Sequence, residues 1–237
     1  MARLIVSYYL AGYYLVQMDK NLPKIFTCST CINKHLLGVW SYSWCSTTQN
    51  EIDEAQKRFN LSRTQFQNLQ SWADEKFVNG SIGWANVFLN IEAALDYKER
   101  FFQKTENVFL LALYIGHDFR NDLLEFLKPS STQVGKTGVY QCLEKSILEI
   151  QDPDEHLLGY DYIGIEVDGE FHSFHCHQLA CELVEKFGLD LNGNGLFEDT
   201  WNQVQVEEFL NDTVTGCEAV PWGTAKVKLV KNGRCQV

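Results

Sequence analysis

From Val108 to Ile115 the chain reads Val-Phe-Leu-Leu-Ala-Leu-Tyr-Ile, with no charged residue. Neither a 3.6-residue nor a 2-residue period leaves this run a wet face, so it cannot lie on a surface as a helix or a half-exposed strand. Its length suits a strand buried on both faces, which needs strands beside it and other elements above and below. A chain of 237 residues, 45% of them hydrophobic, is large enough to build such a layered core.

The rest of the chain alternates between strand and helix patterns. Residues 3–16 and 36–44 are rich in β-branched and aromatic side chains and read as extended, the first as a core strand or a hairpin bent near Gly12, with a polar loop at 21–34 between them. Residues 50–59 are helical in pattern. Ser62 and Gln65 form a capping-box signature before a helix whose apolar face is Phe66, Leu69, Trp72 and Ala73, stopped at Asn79-Gly80. Further helices are expected over 90–104, after His117-Asp118 up to Lys128-Pro129, over 139–150, over 178–187 and over 201–211. A strand at 157–167 followed by Asp168-Gly169 predicts a hairpin returning at 171–174, and 225–230 is a last strand alternating with lysines. Strands and helices mixed without a βαβ rhythm predict an α+β fold: a mixed or antiparallel sheet, or sheets, packed by several amphipathic helices. The turn-rich link at 151–154 divides the chain into an N-terminal α+β region, 1–150, and a C-terminal one, 151–237, with one continuous domain as the alternative. No internal repeat is legible.

The 31 acidic and 20 basic residues leave a net charge of −11. Direct binding to nucleic acid or to anionic membrane needs a basic footprint, so both are argued against. A protein partner with a basic surface fits, because an acidic field steers it in. The apolar stretch 4–16 holds four tyrosines and follows a single arginine, which makes it a poor signal peptide. The eight cysteines are therefore expected as free thiols in a reducing cytoplasm.

Three clusters invite a metal. Phe171 to Cys181 holds His172, His175, His177, Cys176 and Cys181. If the strand turns into a helix near His177, then His175, His177 and Cys181 converge as a three-ligand zinc site with room for water. The same residues also suit a strand–helix junction, with histidines bonded to backbone and cysteines in the core. Cys28 and Cys31, with His35 and Cys45, have the makings of a structural Cys3His zinc site; plain thiols are the alternative. Asp190 to Glu198 carries oxygens at alternate positions around Gly195, as a calcium loop does. Trp201 stands where the bidentate glutamate belongs, which argues against calcium. No cofactor is otherwise called for. Gly135-Lys-Thr lacks the rest of a phosphate loop, and no nucleophile elbow is present.

Gly159-Tyr-Asp-Tyr-Ile-Gly-Ile-Glu166, then Phe171-His-Ser-Phe174 and Cys176, resemble a pattern in uncharacterised bacterial cytoplasmic proteins, some of them similar to immunity proteins of polymorphic-toxin systems. The resemblance extends to Gly83-Trp84-Ala-Asn86 and Val220-Pro-Trp222, about half of the chain in all. It implies a non-enzymatic protein that binds a cognate toxin. With the charge, it leads to an immunity-type inhibitor that occludes a basic toxin or nuclease. Asp161, Glu166, Asp168 and Glu170 on the hairpin would pair with the target's lysines and arginines, and Tyr160, Tyr162 and Trp222 would serve as anchors. The alternative is a zinc-dependent hydrolase built on His175, His177 and Cys181.

Overall fold

A computed structural model describes residues 7–18, 25–27, 53, 57, 61–83, 87–103, 105–129, 138–145, 147–150, 152–167, 169–177, 179–212 and 217–231, with His177 described in its backbone alone. Among these residues five strands form one antiparallel sheet in the order β1-β2-β5-β3-β4: β1 Tyr8–Gln17, β2 Val108–Gly116, β3 Glu155–Ile165, β4 Phe171–Ser173 and β5 Trp222–Val230. Six α-helices accompany it: α1 Arg63–Val78, α2 Ile91–Phe101, α3 His117–Phe126, α4 Gly138–Glu144, α5 Ala180–Phe187 and α6 Gln203–Leu210. The fold is α+β, and the sheet takes strands from both sides of the turn-rich link.

The apolar run 108–115 lies within β2, near the middle of this sheet, paired with β1 on one side and β5 on the other. Alternation then sends its residues both ways. Leu111, Leu113 and Ile115 join Ala225, Val227, Ile163 and Ile165 in one core, while Leu110, Ala112 and Tyr114 face a second core on the other side. The sheet is curled. Tyr14 of β1 meets Phe171 of β4 edge-on, ring centroids 4.9 Å apart, although the two strands stand at opposite ends of the order. The curl is set by two bulges, between Leu10 and Gly12 in β1 and between Leu157 and Gly159 in β3. Both glycines have positive φ, +143° and +148°, which residues with a Cβ rarely adopt.

These bulges mark a repeat that the sequence does not reveal. Tyr13 exchanges both backbone bonds with Phe88, at 3.0 and 2.9 Å, and Tyr160 exchanges both with Phe197, at 2.9 Å each. Each phenylalanine closes a small hairpin after a helix: Gly83 to Val87 and Ser81 to Leu89 in one half, Asn192 to Leu196 and Asp190 to Glu198 in the other. Each hairpin runs into a second helix, then a long strand. Gly12 stands opposite Leu113 and Gly159 opposite Val227, and Leu113 and Val227 pair with each other. An approximate twofold axis therefore passes through that pair. Helices α1 and α2 cover the outer face of one half, α5 and α6 that of the other.

The capping box at α1 is present: Gln65 N–H donates to Ser62 Oγ at 3.3 Å, and Ser62 N–H donates to Gln65 Oε1 at 2.8 Å. The helix expected over 139–150 ends at Glu144. Beyond it, residues 147–149 are extended along the free edge of β1, where Leu10 N–H donates to Ile147 O and Glu149 N–H to Tyr8 O. The lysines of β5 are not a solvated face. Lys226 Nζ lies 2.6 Å from Glu149, and Lys228 Nζ lies 2.8 Å from Glu149 and 3.1 Å from Glu155, which also accepts from the Tyr114 hydroxyl. Burial of this kind is tolerable because every charge is matched.

Candidate functional site

Helix α3 starts directly where β2 ends, with Asp118 in its first turn, where a carboxylate complements the helix dipole. Phe119 and Leu123 point into the core, which turns Asp118 and Asp122, one turn apart, outward. Helix α6 buries Val206 and Leu210 and thereby presents Val204, Glu207 and Glu208 on its other sides. The two helices flank a groove of about 260 Å³ lined by Asp118, Phe119, Asp122, Val204, Glu207, Glu208, Asn211 and Trp222.

The floor of this groove is rigid. Trp222 Nε1 donates to Glu218 O at 3.1 Å, and its backbone exchanges two bonds with the Asn211 side chain, at 3.0 and 2.9 Å. The Phe119 ring lies where a Cβ on Gly223 would sit, so this position admits glycine alone. Glu207 Oε1 accepts from Thr224 N–H and Oγ1 at 2.8 Å and from Gln203 Nε2 at 2.9 Å, which fixes its carboxylate. Asp118, Asp122 and Glu208 form no ion pair with any described residue, and no lysine or arginine lines the groove. Nearby at the α6 end, Trp201 is 78% exposed and Val204 63%. A set of carboxylates with no ion pair among the described residues, beside exposed apolar side chains, suits a basic surface with an apolar anchor of its own.

Of the residues expected to carry this role, several are turned inward. Asp161 is 1% exposed, Tyr162 and Trp222 are buried, and Tyr160 is half-buried beside Phe197. Alternation explains this: β3 is interior, with β5 on one side and β4 on the other, so Asp161 and Tyr162 point into opposite cores. Burial therefore withdraws Asp161 and Tyr162 from the surface on which they were expected, and Trp222 lies in the groove floor. Asp161 accepts from Ser173 Oγ at 2.8 Å, and burial pushes its carboxyl up to about 7, against hydrogen bonds from Ser173, Thr27 and the Tyr162 amide. Glu166 lies 2.6 Å from His172 Nε2, and the Glu218 carboxylate approaches the other ring nitrogen at 3.5 Å. Glu170 is exposed. Asp168 lies outside the described residues.

No family model matches the chain, nor does any curated protein or solved structure.

The metal candidates are placed as follows. His175 Nε2 is 2.7 Å from Gly195 O and its ring packs on Phe174, so it tethers the 190–198 hairpin to the strand–helix junction. Burial lowers its pKa. Cys181 lies exposed on α5, and Cys176 Sγ accepts from Ser173 N–H. Among the described residues no three His, Cys, Asp or Glu side chains gather as metal ligands. Cys28, Cys31, His35 and Cys45 lie outside the described residues, as do the His177 side chain and the Gly135-Lys-Thr segment. Burial pushes the Cys142 thiol up to about 12.

The calcium-like spacing has a structural origin. Asn192 Nδ2 donates to Leu158 O at 2.7 Å, and Asn192 Oδ1 accepts from Asn194 and Leu196 N–H, so its polar groups pin the hairpin to the β3 bulge. In the other half Ser81 and Gly83 pair with Leu89 and Val87 in the same way. No helix among the described residues is long and apolar enough to cross a membrane.

Proposed function

We propose that this chain is a cytoplasmic, non-enzymatic protein-binding protein, an immunity-type inhibitor that occludes a basic toxin or nuclease. Its acidic face is the α3–α6 groove rather than the 161–170 hairpin. The observation that carries this reading is the set Asp118, Asp122 and Glu208, without ion pairs among the described residues, above a floor of Phe119 and Trp222. Long-range attraction would speed encounter, and Trp201 and Val204 would supply the apolar contact that slows departure. The zinc-dependent hydrolase reading has less support, since the His175 ring is engaged with Gly195 and Cys181 lies on the open side of α5.

The test is capture from source cells at low salt, identification of the bound protein, and growth assays of that protein expressed alone and with this chain. A basic partner that arrests growth alone and is silenced by this chain is the expected result. Raising salt from 50 to 200 mM should weaken the complex about tenfold or more. Changing Asp118 and Asp122 to Asn and Glu208 to Gln together should weaken it at low salt and flatten the salt dependence. An affinity indifferent to both salt and the triple change refutes the reading.

A further inference from the structure

Residues 147–150 carry a second surface. Ile147 and Glu149 direct their backbone groups to β1, through the bonds from Leu10 N–H at 2.9 Å and to Tyr8 O at 2.8 Å. The Glu149 carboxylate, held by Lys226 and Lys228, ties the same segment down by its side chain. Alternation turns the N–H and C=O of Leu148 the other way, and neither meets a described group. Ile147 is 42% exposed, Leu148 51% and Ile150 69%. An open strand edge is a template for a further strand, and proteins ordinarily blunt it with proline, a bulge or an outward charge. None of these stands between 147 and 150, where the charge of Glu149 is directed to the lysines.

The choice of occupant follows from charge. Glu144, Asp152 and Asp154 flank the segment, against Lys145 and Lys231, the latter donating its N–H to Asp154 O at 2.7 Å. A second copy would bring another −11 to an acidic edge and be repelled. We propose that 147–150 is a β-augmentation edge that accepts an extended segment of the partner, with apolar side chains over Leu148 and Ile150 and lysine or arginine toward the flanking carboxylates. This rests on the basic-partner reading and gives it a mode of contact: the groove attracts, and the edge bonds to main chain.

The probe is a capped hexapeptide alternating lysine and valine, with an alternating glutamate–valine peptide as control. The readout is exchange of the Leu148 amide by NMR at low salt. Saturating basic peptide should slow this exchange at least about tenfold, and the acidic peptide should leave it unchanged. Leu148→Lys, in a chain that keeps the parental melting temperature, should abolish the effect. Binding that leaves Leu148 exchange unaltered overturns the proposal, as does equal protection by the acidic peptide. Protection that grows with protein concentration alone overturns it in favour of a second copy. If the basic peptide is instead released by the Asp118, Asp122 and Glu208 changes with Leu148 unprotected, the edge fails and the basic-partner reading stands. If Leu148 is protected but the captured cellular partner is not basic, the edge stands and that reading fails.

Discussion

Asp161→Asn separates the buried role of this residue from the surface role its position in the chain suggests. The Asp161 carboxyl has an ordinary value of 3.8 and is pushed up to about 7 in the fold, chiefly by complete burial. A raised carboxyl binds its proton more tightly folded than unfolded. Its contribution to stability is therefore fully present below the unfolded value, declines as pH rises from there, and is gone once pH passes the folded value. A difference of about three pH units corresponds to roughly 4 kcal/mol. About 1.5 kcal/mol of this is already lost at pH 5, and about 3 kcal/mol goes between pH 5 and pH 8.5. Asparagine keeps the acceptor for Ser173 Oγ and does not titrate. Urea denaturation followed by tryptophan fluorescence, on parent and variant at both pH values, isolates the term because every other titrating group cancels. The variant should gain about 3 kcal/mol relative to the parent on going from pH 5 to pH 8.5. A difference between the two proteins that stays constant across this window, within about 0.5 kcal/mol, refutes the argument that burial governs Asp161.

The other expectations concern the scaffold. Gly159→Ala should destabilise by about 3 kcal/mol or more, because its φ of +148° is strained for alanine and the new Cβ would meet Leu196 Cβ and Asn192 Nδ2 at 2.7 Å and Phe197 O at 2.9 Å. Gly80→Ala, with positive φ but nothing within 4 Å, should cost about 1 kcal/mol, and equal losses at the two sites in thermal denaturation would contradict the clash. Ser62→Ala removes the α1 cap and should cost about 1 kcal/mol by urea denaturation; no loss would mean that the capping box is idle.

Local patterns were legible where one residue's neighbours settle its state. The apolar run in β2, the Ser62–Gln65 cap and the bend at Gly12 all follow from steric and periodic rules that act within a few residues. The 147–150 segment illustrates the limit. Its apolar residues continue the pattern of α4, and it becomes extended because the free edge of β1 accepts its backbone, which no local rule encodes. The acidic hairpin misled for the same reason: Asp161 looks like a surface charge until β5 and β4 flank β3 and bury it.

The i,i+4 spacing of Asp118 and Asp122 puts both on one helix face, but nothing in the sequence pairs that face with α6, whose residues lie far along the chain. The repeat was hidden because its two copies share shape rather than letters. Ile82 and Phe88 match Leu191 and Phe197 in apolar character, while the letters between them differ. Amino-acid order alone determined which segments had to be buried and where helices start, because hydrophobic period and capping act over short distances. Tertiary structure decided which carboxylates face water together and which backbone edge meets no described partner, because those depend on what packs against a segment from elsewhere in the chain.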